Sequence, residues 1–411
     1  MPATTIHFLL TFAIYLLVTR ACLTLKDYRW KTTLFALANL GGIGLLFEWT
    51  AFRGRAIVFY AAYIVIVSFL FVTMRLFAKR KNWRSWVAFL SPIAGLILIR
   101  YVPFVWDAIW RLLQVHPDRP IAVFFIGISF MAFRLSHLAL EVKSGQTKQP
   151  SFWEYLGFAF FVPTLLVGPI NPYSAHYQSL NNPDRLITPI GRSVLRIIVG
   201  AAKYQFLANI FNQLSYSGLL LDGHPHGLFD LGVAGISYYL YLYCNFSGFC
   251  DMAIGTAGVL GIHVKENFNF PLAANSVKDY WNRWHITLSG YMRDLVFWRL
   301  SKYLSKRWGA KNSNHAIALS TFVVFLLIGA WHGLGWHYQI FGAMHAIGVV
   351  GNHYYTIWLK KRLGAQRFKA YNESRMVGAV TIVLTFIFVT ISMFFFANDL
   401  DTARKILATI N

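Results

Sequence analysis

The chain has 411 residues, of which 56% are hydrophobic and only 13% charged, with a formal net charge of +22. A soluble domain carries about 25% charged residues, so this chain lacks the side chains to cover a water-facing surface of its size. Its excess of Lys and Arg lies between apolar segments, which points to the basic bias of cytoplasmic loops and away from a nucleic-acid partner.

Apolar runs near the length that crosses a hydrocarbon core of about 30 Å recur at 5–22, 33–50, 56–77, 86–106, 121–141, 155–170, 193–216, 228–250, 315–333, 338–358 and 376–397. They predict an all-α integral membrane protein of about eleven transmembrane helices, organised as a single polytopic domain over 1–411. Met1 to His7 lacks the basic start of a cleaved signal, so the first helix is expected to stay in place. Gly41-Gly42-Ile43-Gly44 has no Lys-Ser/Thr after it and reads as a packing feature, because small residues let membrane helices approach closely.

Orientation follows from the basic loops. Arg20, Lys26, Arg29 and Lys31 oppose only Asp27, and Arg75, Lys79, Arg80, Lys81 and Arg84 oppose no acid. Both loops are expected inside, as are 299–311 and 360–369, which leaves the N-terminus and the 51–55 link outside despite Arg53 and Arg55. The sequence leaves open the parity through 143–250. The stretch 251–311 mixes polar and aromatic residues. It is expected to be re-entrant or half-buried, since broken backbone at membrane depth needs protein or water around it.

Ionisable groups inside membrane segments are expensive and mark functional sites. Two clusters stand out. The first is Tyr280-Trp281-Asn282-Arg283-Trp284-His285-Ile286-Thr287-Leu288-Ser289, followed by Arg293 and Asp294. On one helix, Trp281, Trp284, His285 and Ser289 would share a face, with Asn282 and Arg283 to its sides. The second is Gly329-Ala330-Trp331-His332-Gly333, at the end of an apolar segment, where the glycines are expected to leave room for a substrate. Histidine is the side chain best poised for proton transfer near neutral pH; a packed, hydrogen-bonded histidine is the competing reading, and the one preferred for His337 and His345. Cys22, Cys244 and Cys250 make neither a disulfide framework nor a metal set, so no bound metal is expected.

Trp281 to Asp294 and Gly329 to Gly333 resemble the two signature regions of the membrane-bound O-acyltransferase family. Further stretches agree: Asn245-Phe246-Ser247-Gly248-Phe249-Cys250-Asp251-Met252-Ala253-Ile254-Gly255, Glu266-Asn267-Phe268-Asn269-Phe270-Pro271, Gly127-Ile128-Ser129-Phe130 and Gly168-Pro169-Ile170, the last with Val167 where Ala is usual. The likeness covers about 125–350. It implies that fold, with re-entrant helices around a central tunnel, and an acyl group passed from a thioester to a hydroxyl. His332 matches the catalytic histidine and His285 its partner, which would orient His332 or hydrogen-bond the acyl carbonyl. Trp281, Asn282, Arg283, Trp284, Ser289, Asp251, Trp331 and Gly333 are the expected lining or support.

The polysaccharide O-acetylating branch carries a Gly-Gly-Asn run after the first histidine motif, whereas this chain reads Val296-Phe297-Trp298-Arg299-Leu300-Ser301-Lys302-Tyr303. The chain resembles more closely the teichoic acid D-alanyltransferases of bacterial cytoplasmic membranes. That likeness implies no bound cofactor, a donor carried on the phosphopantetheine of an acidic acyl carrier protein, and a polymer or lipid-linked acceptor on the outer face. A small membrane partner is a further possibility. Arg299, Lys302, Lys306 and Arg307 are then expected to dock the carrier. O-acetylation remains the alternative, and a transporter with proton-relaying histidines the remote one.

Overall fold

A computed structural model of the chain describes residues 2–44, 56–80, 83–102, 111, 127–181, 189–222 and 224–410. The ends of the spans expected at 33–50 and 86–106, the start of the one at 121–141, the 51–55 link and Lys81 lie outside the described residues. Among the described residues there is no strand, only an isolated parallel bridge between His226 and Ile410.

The helices in chain order are α1 (Pro2–Leu23), α2 (Tyr28–Gly44), α3 (Ala56–Phe77), α4 (Ser85–Tyr101), α5 (Ile128–Ser144), α6 (Phe152–Ala159), α7 (Tyr173–Asn181) and α8 (Ile190–Gln213), the last holding a π turn at Lys203–Leu207. There follow α9 (Leu228–Val259), α10 (Val277–Arg283), α11 (Ile286–Met292), α12 (Trp298–Trp308), α13 (Ser313–His332), α14 (Trp336–Glu373), α15 (Arg375–Ala397) and α16 (Leu400–Thr409). Among the described residues, four helices are long and apolar enough to cross a membrane: Ile57–Phe77, Ile190–Gln213, Ala310–His332 and Arg375–Ala397. Leu10–Leu23 and Ser85–Ile99 are apolar but shorter.

The chain divides into two compact units. The first comprises Met1–Ile198 and Cys250–Lys265. Phe35, Phe161, Leu180, Ala257, Leu260 and Ile262 form part of its core. The expected span at 155–170 is not one. Helix α6 stops after Ala159, a 3-10 turn occupies Val162–Thr164, and Gly168 takes a φ of 151°. The carbonyls freed by this break are taken by Arg134, itself buried. Its Nη1 donates to Phe158 O at 2.8 Å, and its Nη2 donates to Thr164 O and Thr164 Oγ1, both at 2.7 Å. Phe158 O also takes the Phe161 N–H, at 3.4 Å, so the Thr164 carbonyl is the one that depends on Arg134, at a cost of about 1–3 kcal/mol if left without it.

The second unit comprises Val199–Phe249 and Glu266–Asn411. Its frame is α13 packed on α14 and α14 on α15. Ala316, Ser320, Thr321, Val324, Phe325, Ile328 and Gly329 form the buried stripe of α13. Gly329 and Gly342 let the two helices touch: a Cβ on Gly342 would lie 2.5 Å from Phe325 O, and one on Gly329 2.5 Å from Tyr338 O. Beyond the apolar part of α14, Gly364 (φ 73°) turns the helix back on itself. The Tyr355 and Tyr371 hydroxyls then meet at 3.2 Å, whereas a straight helix would part them by about 24 Å. At the other end of the unit α16 packs through Ile406 on Tyr216, Leu220 and Ala234.

Candidate functional site

The two predicted histidines belong to the same unit. His332 ends α13, half-buried, inside a ring of aromatic side chains: Trp331 at 4.6 Å, Phe396 at 4.8 Å, Tyr338 at 6.0 Å and Phe341 at 6.3 Å between centroids. His285 is buried, with its ring 4.8 Å from Phe246 and 6.1 Å from Trp331. Trp331 therefore touches both imidazoles. Burial and, secondarily, His332 hold the His285 imidazole below its ordinary pKa. His285 stands between two seven-residue helices, outside every spanning helix, and it is uncharged at neutral pH.

The shared helical face expected for Trp281, Trp284, His285 and Ser289 does not exist. Helix α10 ends at Arg283, Trp284 is extended, and His285 sits in the left-handed region (φ 45°, ψ 49°) before α11 begins. A non-glycine residue held there costs about 1–3 kcal/mol and persists where its surroundings over-determine it. They do so through the loop at Asn267–Phe270. Ile286 N–H donates to Asn267 O (3.0 Å), and Asn269 N–H donates to Arg283 O (2.9 Å). Asn267 Oδ1 meets the Thr287 N–H (3.1 Å), the Thr287 hydroxyl (2.8 Å) and His285 Nδ1 (3.2 Å). Asn267 belongs to the Glu266–Pro271 motif, but a buried Asn eighteen residues upstream of His285 carries no local signal of its partner.

The break separates the predicted lining residues. Trp284 stacks on Tyr280 at 5.6 Å and meets Phe268 edge-on at 5.0 Å. Trp281 turns the other way, donating its indole N–H to His345 Nδ1 at 3.0 Å and packing on Phe325. Arg283 pairs with Asp279 at 2.8 Å and reaches Asn269 O, so it laces the loop. Asp251 belongs to the first unit, where Arg196 holds it through Nη2 at 2.9 Å. Gly333 leaves no opening for a substrate, because Tyr338 fills it: a Cβ there would lie 2.5 Å from that ring.

Trp281, Asn282 and Ser289 come together again around a cavity of about 210 Å³, whose other walls include Lys278, Arg293 and Phe297. Helix α13 lines it from Ile317 to Ile328, a rise of about 16 Å. Ile328 lies one turn before His332. The buried Ser289 Oγ has no hydrogen-bond partner among the described residues. The walls are thus mainly apolar, with cations and unspent polar atoms at a few places, which is the make-up of a ligand site. Lys278 was not anticipated from sequence. The four expected docking cations, Arg299, Lys302, Lys306 and Arg307, are all exposed on α12, beside Trp298 and Tyr303, while Ser301 and Leu304 face inward.

Two imidazoles in contact with one indole, one at the end of a helix long and apolar enough to cross a membrane and one in a strained loop, thus lie in the unit that also holds a mainly apolar cavity. The chain belongs to the membrane-bound O-acyltransferase family, whose description matches residues 4–397. It is 30% identical to the teichoic acid D-alanyltransferase of Streptococcus thermophilus, over 85% of this chain and 84% of that one. It is 28% identical to the enzyme of the same name from Bacillus subtilis, over 78% of this chain and 80% of that one. To the probable alginate O-acetylase AlgI of Pseudomonas aeruginosa it is 29% identical, over 68% of this chain and 50% of that protein. The chain is therefore an O-acyltransferase of the membrane.

Proposed function

We propose that this protein transfers a D-alanyl group from the thioester of an acyl carrier protein to a hydroxyl of a cell-envelope polymer of the teichoic acid kind, with His332 as the general base. The observation that carries the reading is the junction at the end of α13, where the cavity reaches Ile328 one turn below His332 and Trp331 joins His332 to His285. The names of the relatives that match most of the chain support the D-alanyl donor.

The chemistry follows from the groups present. His332 takes the proton of the acceptor hydroxyl as its oxygen attacks the thioester carbonyl, giving a tetrahedral oxyanion. Collapse expels the thiolate, which recovers a proton, and leaves an ester on the acceptor. A mainly apolar passage suits a thioester, because water in it would hydrolyse the donor. With the basic loops inside, the cavity is entered near the first turn of α13 from the cytoplasmic face. The exposed cations of α12 there attract an acidic carrier, and the acceptor reaches His332 from outside. This sidedness and a bacterial cytoplasmic membrane location form part of the proposal.

The test offers the protein, in vesicles, a carrier protein charged with labelled D-alanine and, separately, with labelled acetate. Label moved only from D-alanine supports the proposal. Label moved only from acetate keeps the family and shifts the chain to polysaccharide O-acetylation, the activity named for the alginate relative.

A further inference from the structure

We propose that Asn267 is a positioning residue of acyl transfer: its side-chain carbonyl keeps the proton of His285 on Nδ1 and so presents Nε2, bare, as a hydrogen-bond acceptor toward the groups that react beside His332. The inference rests on the acyl-transfer reading and adds to it the state and direction of the second histidine.

The assignment of atoms is forced. A backbone N–H can only donate, so the Asn267 atom that meets the Thr287 N–H at 3.1 Å is the carbonyl oxygen and not the amide nitrogen. The same oxygen also takes the Thr287 hydroxyl at 2.8 Å. An oxygen offers only lone pairs to His285 Nδ1 at 3.2 Å, so Nδ1 carries the hydrogen. A neutral imidazole has one N–H, which leaves Nε2 as an acceptor. That nitrogen is buried and has no hydrogen-bond partner among the described residues.

A bare buried acceptor costs about 1–3 kcal/mol, and here it comes with backbone strain. Among the described residues, the non-glycine positions with positive φ are His285 itself and Phe270, at the two sides of the Asn267 loop. Unspent acceptor and strain coincide at one point, which is where a fold keeps costs that serve a function. The hydrogen that satisfies Nε2 arrives with the reaction, from the imidazole N–H of His332 or from the acceptor hydroxyl. In this tautomer His285 has no hydrogen to give the acyl carbonyl, which removes one of the two roles the sequence left open for it.

The groups around His285 are few. Phe246 is an apolar wall, and Trp331 meets the imidazole with a ring that also carries an indole N–H donor. Among the described residues, His332 is the titratable side chain whose charge acts on it, and Asp279 and Arg283 on α10 satisfy one another.

The experiment uses the full chain in nanodiscs, labelled with ¹⁵N-histidine, and three proteins: wild type, Asn267→Leu and Asn267→Asp. The ¹⁵N shifts of His285, assigned by loss of its signal in His285→Gln, report the tautomer without any substrate. Wild type is expected with hydrogen on Nδ1. Asn267→Leu removes the acceptor and is expected to lose that tautomer and at least about 100-fold in transfer rate; a misheld tautomer costs about 10⁴ in a Ser-His-Asp triad. Asn267→Asp still accepts from Nδ1, but its carboxylate favours the imidazolium. It is expected to keep the tautomer and, at alkaline pH where the imidazole is neutral, to recover most of the transfer that Asn267→Leu loses. A merely structural Asn would move stability and leave tautomer and rate in place. Hydrogen found on Nε2 in wild type overturns the proposal, as does transfer at the wild-type rate in Asn267→Leu. If wild type shows the expected tautomer but moves no acyl group from any thioester, the acyl-transfer reading fails, and the tautomer signal separates that result from a wrong geometry.

Discussion

The Trp281 indole N–H donates to His345 Nδ1 at 3.0 Å, and this bond fixes the tautomer of a further buried histidine of the same unit. With Nδ1 accepting, the hydrogen lies on His345 Nε2, which meets Ser392 Oγ at 2.9 Å; the Ser392 hydroxyl passes on to Val389 O at 2.7 Å. The relay ties α10 to α14 and α15 and holds the ring that walls the cavity. Replacing His345 by Leu strands the indole N–H and the serine together. We expect a loss of about 1–3 kcal/mol for it and about 1 kcal/mol for Ser392→Ala, read as the order of their thermal midpoints in detergent. Equal midpoints would contradict the relay.

The glycines divide by what surrounds them. Gly41 has nothing within 4 Å of an added Cβ, while on Gly42 that atom would lie 2.6 Å from the ring of Tyr15, which is held by a bond to Asn39. Gly41→Ala should gain about 0.5–1 kcal/mol from helix propensity. Gly42→Ala should lose about 1–3 kcal/mol through overpacking. Thermal midpoints of the two variants, measured side by side, check the sign of each.

Much of the frame could be read from the chain. The spans at 56–77 and 376–397 were legible because a continuous apolar run of that length has few other uses, and α3 and α15 occupy nearly the same residues. His332 at the end of the apolar run 315–333 was legible for the same reason. Two local breaks were not. The run 155–170 is apolar enough for a span, but Arg134, more than twenty residues upstream, supplies the hydrogen bonds that let it break. Periodicity read Trp281 to Ser289 as one helix because it sees no partner beyond the window. The left-handed turn at His285 is set by Asn267, whose bonds come from a distant loop.

If the cavity carries the donor, filling it should stop the reaction without touching either histidine. Ala318 and Thr321 line its α13 wall. Ala318→Trp is expected to cut transfer from a charged carrier protein by about 100-fold or more, since a misplaced reacting group alone costs about that much. Retention of the elution profile and thermal midpoint would show that the fold survives. Transfer within a few-fold of wild type would place the donor elsewhere.

The α12 cations act over a longer range. Reversing Lys302 and Lys306 to Glu turns an attractive face toward an acidic carrier into a repulsive one. We expect the KM for the charged carrier to rise about tenfold with kcat little changed, and added salt to weaken the wild type toward the variant, because exposed charges are screened over about 8 Å at physiological ionic strength. An unchanged KM and an absent salt dependence would remove α12 from the docking surface.

The most direct measurement compares wild type with His332→Ala in acyl transfer from a carrier protein charged with labelled D-alanine to envelope polymer, both proteins first shown to share a thermal midpoint and elution profile. The account predicts label in the polymer for wild type and a loss of about 10³-fold or more for His332→Ala, the scale lost when the group that activates a nucleophile is removed. A folded His332→Ala that transfers D-alanine at the wild-type rate would contradict it.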